Sequence, residues 1–491
     1  MKVFRIIGIA LLASVLGASL ASAQPNWVSL KNLSPEAVGP LLQLRDGRIL
    51  AHSDQNGNAL NWYILTPDAQ GSYQNGTWCK SGSFPSNYSP FFFSTAVGVN
   101  SKLGSNIVIA EGGEYNFGSA VWTNLGALGT VTPFTCPGVS WAANNPPSGW
   151  SRIGDAENSV LPDGTYMQAN CCTNQNALFV SPGVWAATGS VHQGNNDESG
   201  FTALRNGMVL TVDTKSAGTC GASKASEIYD PGTGLWSCGP PLPVQLYNPS
   251  DEELGAAVLM YNNKVFQMGG NVSADAIYDG ASWVTGPPPP NGMTQADGPA
   301  SLEPNGKVLM RLGTGLFNAP CHFAEYDPSN NSFALTVDNP DCPNNPAYTG
   351  HQMILPTGQI AEVDFSTQLY LYNPAPGVVG GVAPFIIPSK NAYLGGSKNN
   401  ILYGLQMNGL SENNAYGDDY QAATNYPLIR FTDGSGNVWY GYTHDDSNHS
   451  IAPNNLSYTE FDLNPAMPPG TYTMEVVTNG IGSNKVIVKI R

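Results

Sequence analysis

The stretch Glu227-Ile-Tyr-Asp-Pro-Gly-Thr-Gly-Leu-Trp236 decides the fold, because it predicts a strand, a tight turn and a second strand that carries a tryptophan. The stretch Ala276-Ile-Tyr-Asp-Gly-Ala-Ser-Trp283 repeats this pattern in the next module. Each module begins earlier, with an apolar strand and a two-residue turn, as in Glu157-Asn-Ser-Val-Leu-Pro-Asp-Gly164. Four strands joined by short turns predict one antiparallel sheet per module.

Seven two-residue turns mark the modules along the chain. They are Asp46-Gly47, Gly104-Ser105, Asp163-Gly164, Asn206-Gly207, Asn262-Asn263, Asn305-Gly306 and Thr357-Gly358. Asp-Gly and Asn-Gly pairs supply the positive φ angles that tight hairpins need. A unit of roughly 40 to 60 residues that cannot bury its own faces must stack on copies of itself. The repeat therefore predicts an all-β protein with a seven-bladed β-propeller over residues 24–374.

The two ends of the repeat predict how the ring closes. The seventh module stops at Leu369-Tyr-Leu-Tyr-Asn-Pro374 without a tryptophan strand, and an unmatched strand lies at Trp27-Val-Ser-Leu-Lys-Asn-Leu-Ser-Pro35. We expect the N-terminal strand to complete the last blade, because closure removes the exposed edges of an open array. Residues 375–388 are rich in Pro and Gly and predict a linker. Alternating strands over residues 389–491 predict an immunoglobulin-like (E-set) β-sandwich.

The first residues have the features of an export signal. Lys2 and Arg5 precede an apolar run from Ile6 to Leu16, and Ala21-Ser22-Ala23 supplies small residues at the end. A transmembrane anchor needs about 18 apolar residues, which is more than this run contains. We therefore expect a signal peptide over residues 1–23 that is cleaved after Ala23. The mature protein is expected to be secreted or periplasmic, with no transmembrane segment.

Charge composition limits the partners of this chain. Acids outnumber bases by 36 to 20, which gives a net charge of −16. Such a chain would repel the phosphates of nucleic acid and an anionic membrane surface. We therefore expect no nucleic acid among its partners.

All eight cysteines follow the predicted signal peptide. An even count in an oxidising compartment favours disulfides over free thiols. Cys220 with Cys238, and Cys321 with Cys342, each flank one module and are candidates for local pairs. The neighbours Cys171-Cys172 could bond to each other or pair elsewhere. A zinc site is the alternative, but the cysteine spacing is unusual for zinc and the histidines are scattered.

With these features the chain resembles the kelch-repeat propellers, and among them the galactose oxidase and glyoxal oxidase family. The resemblance rests on the pairs Gly112-Gly113 and Gly269-Gly270, on the Tyr-Asp-Pro turn with its tryptophan, and on the predicted sandwich. Most modules lack the glycine pair, so the repeats are degenerate. The segment from Ala415 to Arg430 resembles a group of bacterial secreted kelch proteins with a similar C-terminal domain. The resemblance covers nearly the whole mature chain.

The oxidases of this family bind copper through two tyrosines and two histidines, and the resemblance implies an incomplete set here. Phe92 lies where the first tyrosine is expected, and phenylalanine cannot ligate a metal. Tyr348 matches the second tyrosine, Thr349 replaces its adjacent histidine, and His444 matches the last histidine. Loss of two ligands predicts that radical copper chemistry is absent. The alternative is a divergent metal site of Tyr348, His351 and His444; otherwise these residues pack at the domain interface.

Five modules carry a polar side chain nine or ten residues before the turn. They are Asp155, Glu198, Glu253, Asp297 and Tyr348. In the family, the copper tyrosines occupy this offset, at the start of the innermost strand of a blade. We therefore expect these side chains to converge at one mouth of the central channel, which we call the acidic mouth. Asp197 and Glu252 lie beside two of them and are expected to line the same site.

Several carboxylates in one partly enclosed site bind a cation such as Ca²⁺, pair with a basic side chain, or raise one another's pKa. The first hypothesis is that the acidic mouth binds an extracellular small molecule or glycan, where the glycan rests on family analogy. The second is a glycan hydrolase or lyase with Asp155, Glu198, Glu253 and Asp297 as candidate acids and bases. A copper oxidase is the third. A purely structural role, in which the acids cap loop amides, is the remaining alternative.

Overall fold

This computed structural model describes residues 26–53, 59–88, 93–96, 107–116, 121–145, 147–150, 156, 158–170, 173–215, 219–221, 224–416, 422–451 and 455–491. The predicted signal peptide, Phe92, Asp155 and Cys171-Cys172 lie outside these ranges. The described residues are nearly all strand or turn, with 3-10 helices at Pro290–Gly292, Cys342–Asn344 and Ala347–Thr349. Among them, no helix is long and apolar enough to cross a membrane.

Six small antiparallel sheets each contain four consecutive strands. The first three are β2 to β5 (Val38–Gln43, Ile49–Ser53, Ala59–Thr66, Thr77–Tyr88), β6 to β9 (Phe93–Ala96, Ile107–Asn116, Val121–Val131, Val139–Asn144) and β10 to β13 (Asn158–Val160, Tyr166–Ala169, Asn176–Ser181, Val184–Ala187). The next three are β14 to β17 (Thr202–Ala203, Val209–Val212, Ser226–Asp230, Leu235–Cys238), β18 to β21 (Leu254–Leu259, Val265–Gly269, Asp275–Tyr278, Trp283–Thr285) and β22 to β25 (Pro299–Leu302, Val308–Leu312, His322–Asp327, Ser332–Leu335).

A seventh small sheet joins the start of the described chain to residues far along it. It contains β1 (Asn26–Ser29) and β26 to β28 (His351–Ile354, Ile360–Val363, Tyr370–Asn373), in the order β1-β28-β27-β26. Asn26 pairs with Asn373 and Ser29 with Tyr370 in an antiparallel ladder. The pairing expected for the N-terminal strand is therefore present.

The first strands of the small sheets lie side by side in a series. Strand β6 contacts β10, β10 contacts β14, and the series continues through β18, β22 and β26 to β2. Every residue of β2, β22 and β26 is buried, because these strands are covered by their own sheet and by neighbouring sheets. Small antiparallel sheets arranged around their first strands make this part of the chain a β-propeller.

Among the described residues, the turns that mark the repeat have the backbone conformation that their sequence predicts; the turn Gly104-Ser105 lies outside these residues. The φ angle is 85° at Gly207, 65° at Asn263, 91° at Gly306 and 83° at Gly358. Glycine adopts positive φ without steric cost, and asparagine tolerates it better than most residues. The turn residues thus set the hairpin between the first two strands of each of these sheets.

Nine further C-terminal strands are β29 (Phe385–Ile387), β30 (Ala392–Tyr393), β31 (Asn400–Leu405), β33 (Leu428–Asp433), β34 (Val438–His444), β35 (Leu456–Asp462), β36 (Gly470–Thr478), β37 (Ile481–Gly482) and β38 (Val486–Ile490). They form one arrangement in the order β29-β31-β35-β34-β33-β36-β38-β30, with β37 beside β36. Strand β29 falls inside the range predicted as a linker, and it pairs with β31.

One C-terminal strand leaves this arrangement and joins the propeller. Strand β32 (Asn414–Tyr416) pairs antiparallel with β22 and also contacts β18 and β26. The Asn414 Oδ1 atom accepts hydrogen bonds from the Ser301 hydroxyl and from the backbone N–H of Ile354, both at 2.9 Å. The sequence predicts only a β-sandwich over residues 389–491, so this inserted strand differs from the expectation.

Three disulfides staple the described part of the propeller. Both predicted pairs are bonded: Cys220 with Cys238, and Cys321 with Cys342, whose Cα atoms lie 5.1 Å and 4.7 Å apart. The sequence did not indicate the third bond, Cys79–Cys136, which spans 57 residues. Disulfides of this kind restrict the unfolded chain and so stabilise the fold.

Two turn glycines bring the C-terminal strands against the propeller. Gly480 has φ of 70°, and a Cβ atom there would lie 2.8 Å from the Cα atom of Gly358 and 3.0 Å from the carbonyl oxygen of Leu355. Backbone atoms cannot move aside as a side chain can. The contact therefore requires glycine at position 480.

Replacing Gly480 with alanine is expected to lower the free energy of unfolding by about 1–3 kcal/mol, as overpacked sites do. Thermal and urea unfolding would measure the change. Gly434→Ala is the matched control, because a Cβ atom at position 434 meets nothing within 4 Å. An unchanged melting temperature for Gly480→Ala would contradict the close backbone contact.

Candidate functional site

Three of the predicted acids converge in the structure. Glu198, Glu253 and Asp297 precede the first strands β14, β18 and β22, which belong to three successive sheets. One carboxylate oxygen from each lies within 4.8 Å of the other two. We call these three residues the carboxylate cluster. Its side chains meet because equivalent positions of neighbouring sheets lie at the same end of adjacent first strands.

The backbone at the cluster has an uncommon conformation. The φ angle is 62° at Glu198, 48° at Asp297 and 64° at Glu252. Residues other than glycine adopt this left-handed region rarely, at a cost on the order of 1–3 kcal/mol each, and such residues concentrate at functional sites. Here Glu198 and Asp297 belong to the cluster, and Glu252 immediately precedes its third member, Glu253.

Two members of the cluster interact closely. Carboxylate oxygens of Asp297 and Glu253 lie within 4.8 Å of each other. Burial raises the pKa of Asp297 to about 6, although the interaction with Glu253 acts in the opposite direction. Glu253 is only 7% exposed. The Oδ1 atom of Asp297 is buried and makes no hydrogen bond to the described residues.

A lysine bridges the two acids beside the cluster. The ammonium group of Lys215 forms ion pairs with Asp197, at 3.1 Å, and with Glu252. The preceding residue holds the same loop in place, because the hydroxyl of Thr214 donates a 2.7 Å hydrogen bond to the carbonyl of Asp197. The sequence did not indicate a role for Lys215. It follows β15, and the far end of a hairpin's second strand lies beside the start of its first strand.

Tyr348, the fifth predicted residue, lies near this site. Its side chain is half-buried, and its ring packs edge-on against Phe317 with ring centroids 5.0 Å apart. Burial raises the pKa of Tyr348, and the nearby charges of Asp364 and Asp297 raise it further. The Tyr416 hydroxyl of the inserted strand β32 donates a hydrogen bond to the Tyr348 carbonyl oxygen. The inserted strand thus supports the loop that carries Tyr348.

A buried arginine organises the loop next to Tyr348. Arg311 is fully buried and forms 2.5 Å ion pairs with Glu362 and with Asp364. Its guanidinium also donates a 3.3 Å hydrogen bond to the hydroxyl of Thr349. Thr349, which replaces a copper-ligating histidine of the family, therefore belongs to a hydrogen-bonded network that holds β26 and β27 to the neighbouring sheet.

The two histidines of the predicted divergent metal site have different surroundings. His351 is buried and stacks on Tyr416 with ring centroids 4.9 Å apart, and burial together with the charge of Arg311 lowers its pKa to about 3. His444 instead makes hydrogen bonds of 2.7 Å with Asp445 and 3.2 Å with Asp462. The divergent metal site of Tyr348, His351 and His444 stays a prediction, and Phe92, the counterpart of a copper-ligating tyrosine, lies outside the described residues.

No protein-family model matches this chain, and no curated protein sequence matches it. Among solved structures, virginiamycin B lyase from Staphylococcus aureus is similar at 9% sequence identity and a TM-score of 0.49, over 72% of this chain and 100% of that chain. A streptogramin B lyase is similar at 10% identity and a TM-score of 0.48, over 71% and 97%. YCF48 from Cyanidioschyzon merolae is similar at 9% identity and a TM-score of 0.39, over 71% and 99%.

Replacing Asp297 with asparagine should change how stability depends on pH. The pKa of Asp297 rises from 3.8 to about 6 on folding, so its stabilising contribution is complete below about pH 4 and is lost as the pH rises through 6. The variant has no such loss. Its stability relative to the wild type should therefore increase from pH 4 to pH 7, by on the order of 2 kcal/mol.

Urea unfolding of both proteins in EDTA, at several pH values, would measure this difference. Asp279→Asn is the control, since Asp279 is an exposed turn residue whose pKa is lowered by hydrogen bonds from backbone N–H groups. No gain in stability at pH 7 is expected for it. A difference between Asp297→Asn and wild type that is equal at pH 4 and pH 7 would count against the raised pKa.

Proposed function

We propose that this chain is an exported, galactose oxidase-like kelch protein without radical copper chemistry. In this proposal residues 1–23 are a signal peptide, residues 24–374 form a closed seven-bladed propeller, and residues 375–388 link it to an immunoglobulin-like (E-set) sandwich at 389–491. The seven small sheets and the pairing of β1 with β28 support the closed ring. The nine C-terminal strands support the second domain.

The proposed function is binding of an extracellular ligand at the acidic mouth through Ca²⁺. The convergence of Glu198, Glu253 and Asp297 within 4.8 Å carries this proposal. Calcium prefers oxygen ligands at about 2.3–2.6 Å, so two ligands on opposite sides of the ion lie roughly 5 Å apart. Carboxylates this close repel one another when ionised, and a bound cation removes that repulsion. The buried Oδ1 atom of Asp297 provides one such oxygen.

The coordination number of calcium leaves room for a second molecule to bind to the ion. Calcium takes about six to eight oxygens, and three side chains leave positions for other groups. Hydroxyl groups of a small molecule or glycan are suitable oxygens, and the family resemblance favours a glycan. Asp197, Glu252 and Lys215 lie beside the cluster and are proposed to contact the bound molecule. Tyr348 offers an aromatic ring on the neighbouring loop.

Calcium titration by isothermal calorimetry tests the proposal. We expect a dissociation constant on the order of 10⁻⁴–10⁻³ M, the range of extracellular calcium modules. Glu253→Gln and Asp297→Asn should each weaken binding by at least about tenfold, because each removes a charged ligand of the ion. Affinity should fall as the pH drops below about 6, since protons then compete for Asp297.

Asp279→Asn is again the control and should bind calcium as the wild type does. Equal calcium affinity for Asp297→Asn and wild type would overturn the site. A glycan array with calcium, repeated in EDTA, then identifies the ligand. Glycan binding that survives both EDTA and Asp297→Asn would show that the ligand binds elsewhere.

An acid/base enzyme is the second candidate, and the closeness of Glu253 to Asp297 together with the raised pKa of Asp297 favours it. A pair of carboxyl groups of which one is protonated near neutral pH supplies both an acid and a base. A glycan hydrolase or lyase requires both. We expect glycan cleavage, if this is the activity, to fall at least about a hundredfold in both Glu253→Gln and Asp297→Asn. If either variant cleaved the glycan as fast as the wild type does, Glu253 and Asp297 would be excluded as the acid and base.

A further inference from the structure

A cleft of about 520 Å³ lies between the first small sheet and the C-terminal strands. Its propeller wall includes Asp46, Arg48 and Phe134, and its other wall includes Trp439 and Asn464. Sites for small molecules typically have volumes of about 300–1,000 Å³ and often lie between domains. The cleft lies at the turn between β2 and β3, whereas the carboxylate cluster precedes the first strands. It is therefore separate from the acidic mouth.

The charges that line the cleft are matched within the protein. The guanidinium of Arg48 contacts the carboxylate of Asp46 at 2.7 Å and donates to the carbonyls of Thr132 and Thr135. Asp46 also accepts a 2.9 Å hydrogen bond from the backbone N–H of Phe134. An ionic ligand would have to break this pair. The cleft is therefore suited to a neutral molecule.

Asp68, the other acid on the wall, is also satisfied. One of its oxygens accepts hydrogen bonds of 2.9 Å from the backbone N–H groups of Gln70 and Ser72. The other oxygen accepts a 2.7 Å hydrogen bond from the side chain of Asn75. These hydrogen bonds lower the pKa of Asp68, so its carboxylate is ionised. Because both of its oxygens already accept hydrogen bonds within the protein, it needs no cationic ligand.

Two hydrogen-bond donors of the cleft have no protein acceptor among the described residues. Trp439 is half-buried against the C-terminal core, and its indole N–H makes no hydrogen bond there. The side-chain oxygen of Asn464 accepts from the backbone N–H of Ala466 at 2.9 Å, but its amide N–H groups donate to no described group. A ligand that offers oxygen atoms beside an apolar ring contact would use both donors.

We propose that this cleft binds a neutral saccharide, with one sugar ring against Trp439. Indole gives a flat apolar surface and one donor at its edge, which match the C–H face and the hydroxyl groups of a sugar. A purely apolar ligand would leave the donors of Trp439 and Asn464 unpaired, at a cost in affinity. This second site goes beyond the proposed function, because it needs neither calcium nor the carboxylate cluster.

Binding of neutral oligosaccharides in EDTA tests this proposal. Calorimetry or ligand-observed NMR with maltotriose, cellotriose, xylotriose and chitotriose should reveal at least one that binds. Trp439→Ala should weaken that binding at least about tenfold and Asn464→Ala several-fold, because each removes a contact in a small interface. Trp439→Phe keeps an aromatic ring but lacks the N–H group, and it should bind with intermediate affinity.

Trp185→Ala is the matched control, because Trp185 lies on the outer strand β13 of another sheet. There its indole N–H donates a hydrogen bond to the carbonyl of Asn145. This variant should bind as the wild type does. Melting curves establish that each variant is folded. The proposal is overturned if none of the four sugars binds at about 10 mM, the weak limit of such sites. Wild-type affinity in folded Trp439→Phe and Asn464→Ala would also overturn it.

Discussion

The antiparallel ladder between Asn26–Ser29 and Tyr370–Asn373 is the constraint on which the propeller depends. Without it, β28 would present an unpaired strand edge, which is a site for aggregation or misassembly. With it, the start of the described chain is fixed to the last small sheet, and the sheets between must curve around their first strands. That curvature brings Glu198, Glu253 and Asp297 from three different sheets to one point. A local hairpin repeat alone would not achieve this.

The two ends of the first strands have different roles. At the end where these strands begin, strained backbone and close carboxylates form a polar site. At the end where they turn, glycines such as Gly358 permit the C-terminal strands to pack closely, as at Gly480. Strand β32 connects the two ends, because it inserts beside β22 and its Tyr416 contacts the Tyr348 loop. The C-terminal part therefore both covers one end of the propeller and supports the other.

Local chemistry explains which features were predictable from the sequence. Turn pairs such as Asn305-Gly306 reveal hairpins through their own φ preference, and the repeat register then relates Glu253 to Asp297 across two modules. Long-range contacts carry no such signal. Arg311 appears in the sequence as one more strand residue, yet it is buried between two acids. Strand β32 is too short for a periodic pattern, so its insertion emerged only from the structure, as did the cleft between the first small sheet and the C-terminal strands.

Locating a bound calcium analogue tests the carboxylate cluster as a calcium site. Crystals grown with Tb³⁺ would reveal the ion by anomalous scattering. We expect a peak among the carboxylates of Glu198, Glu253 and Asp297, with metal–oxygen distances near the ~2.3–2.6 Å typical of calcium. A carboxylate cluster without an anomalous peak, in crystals that bind the ion elsewhere, would contradict it.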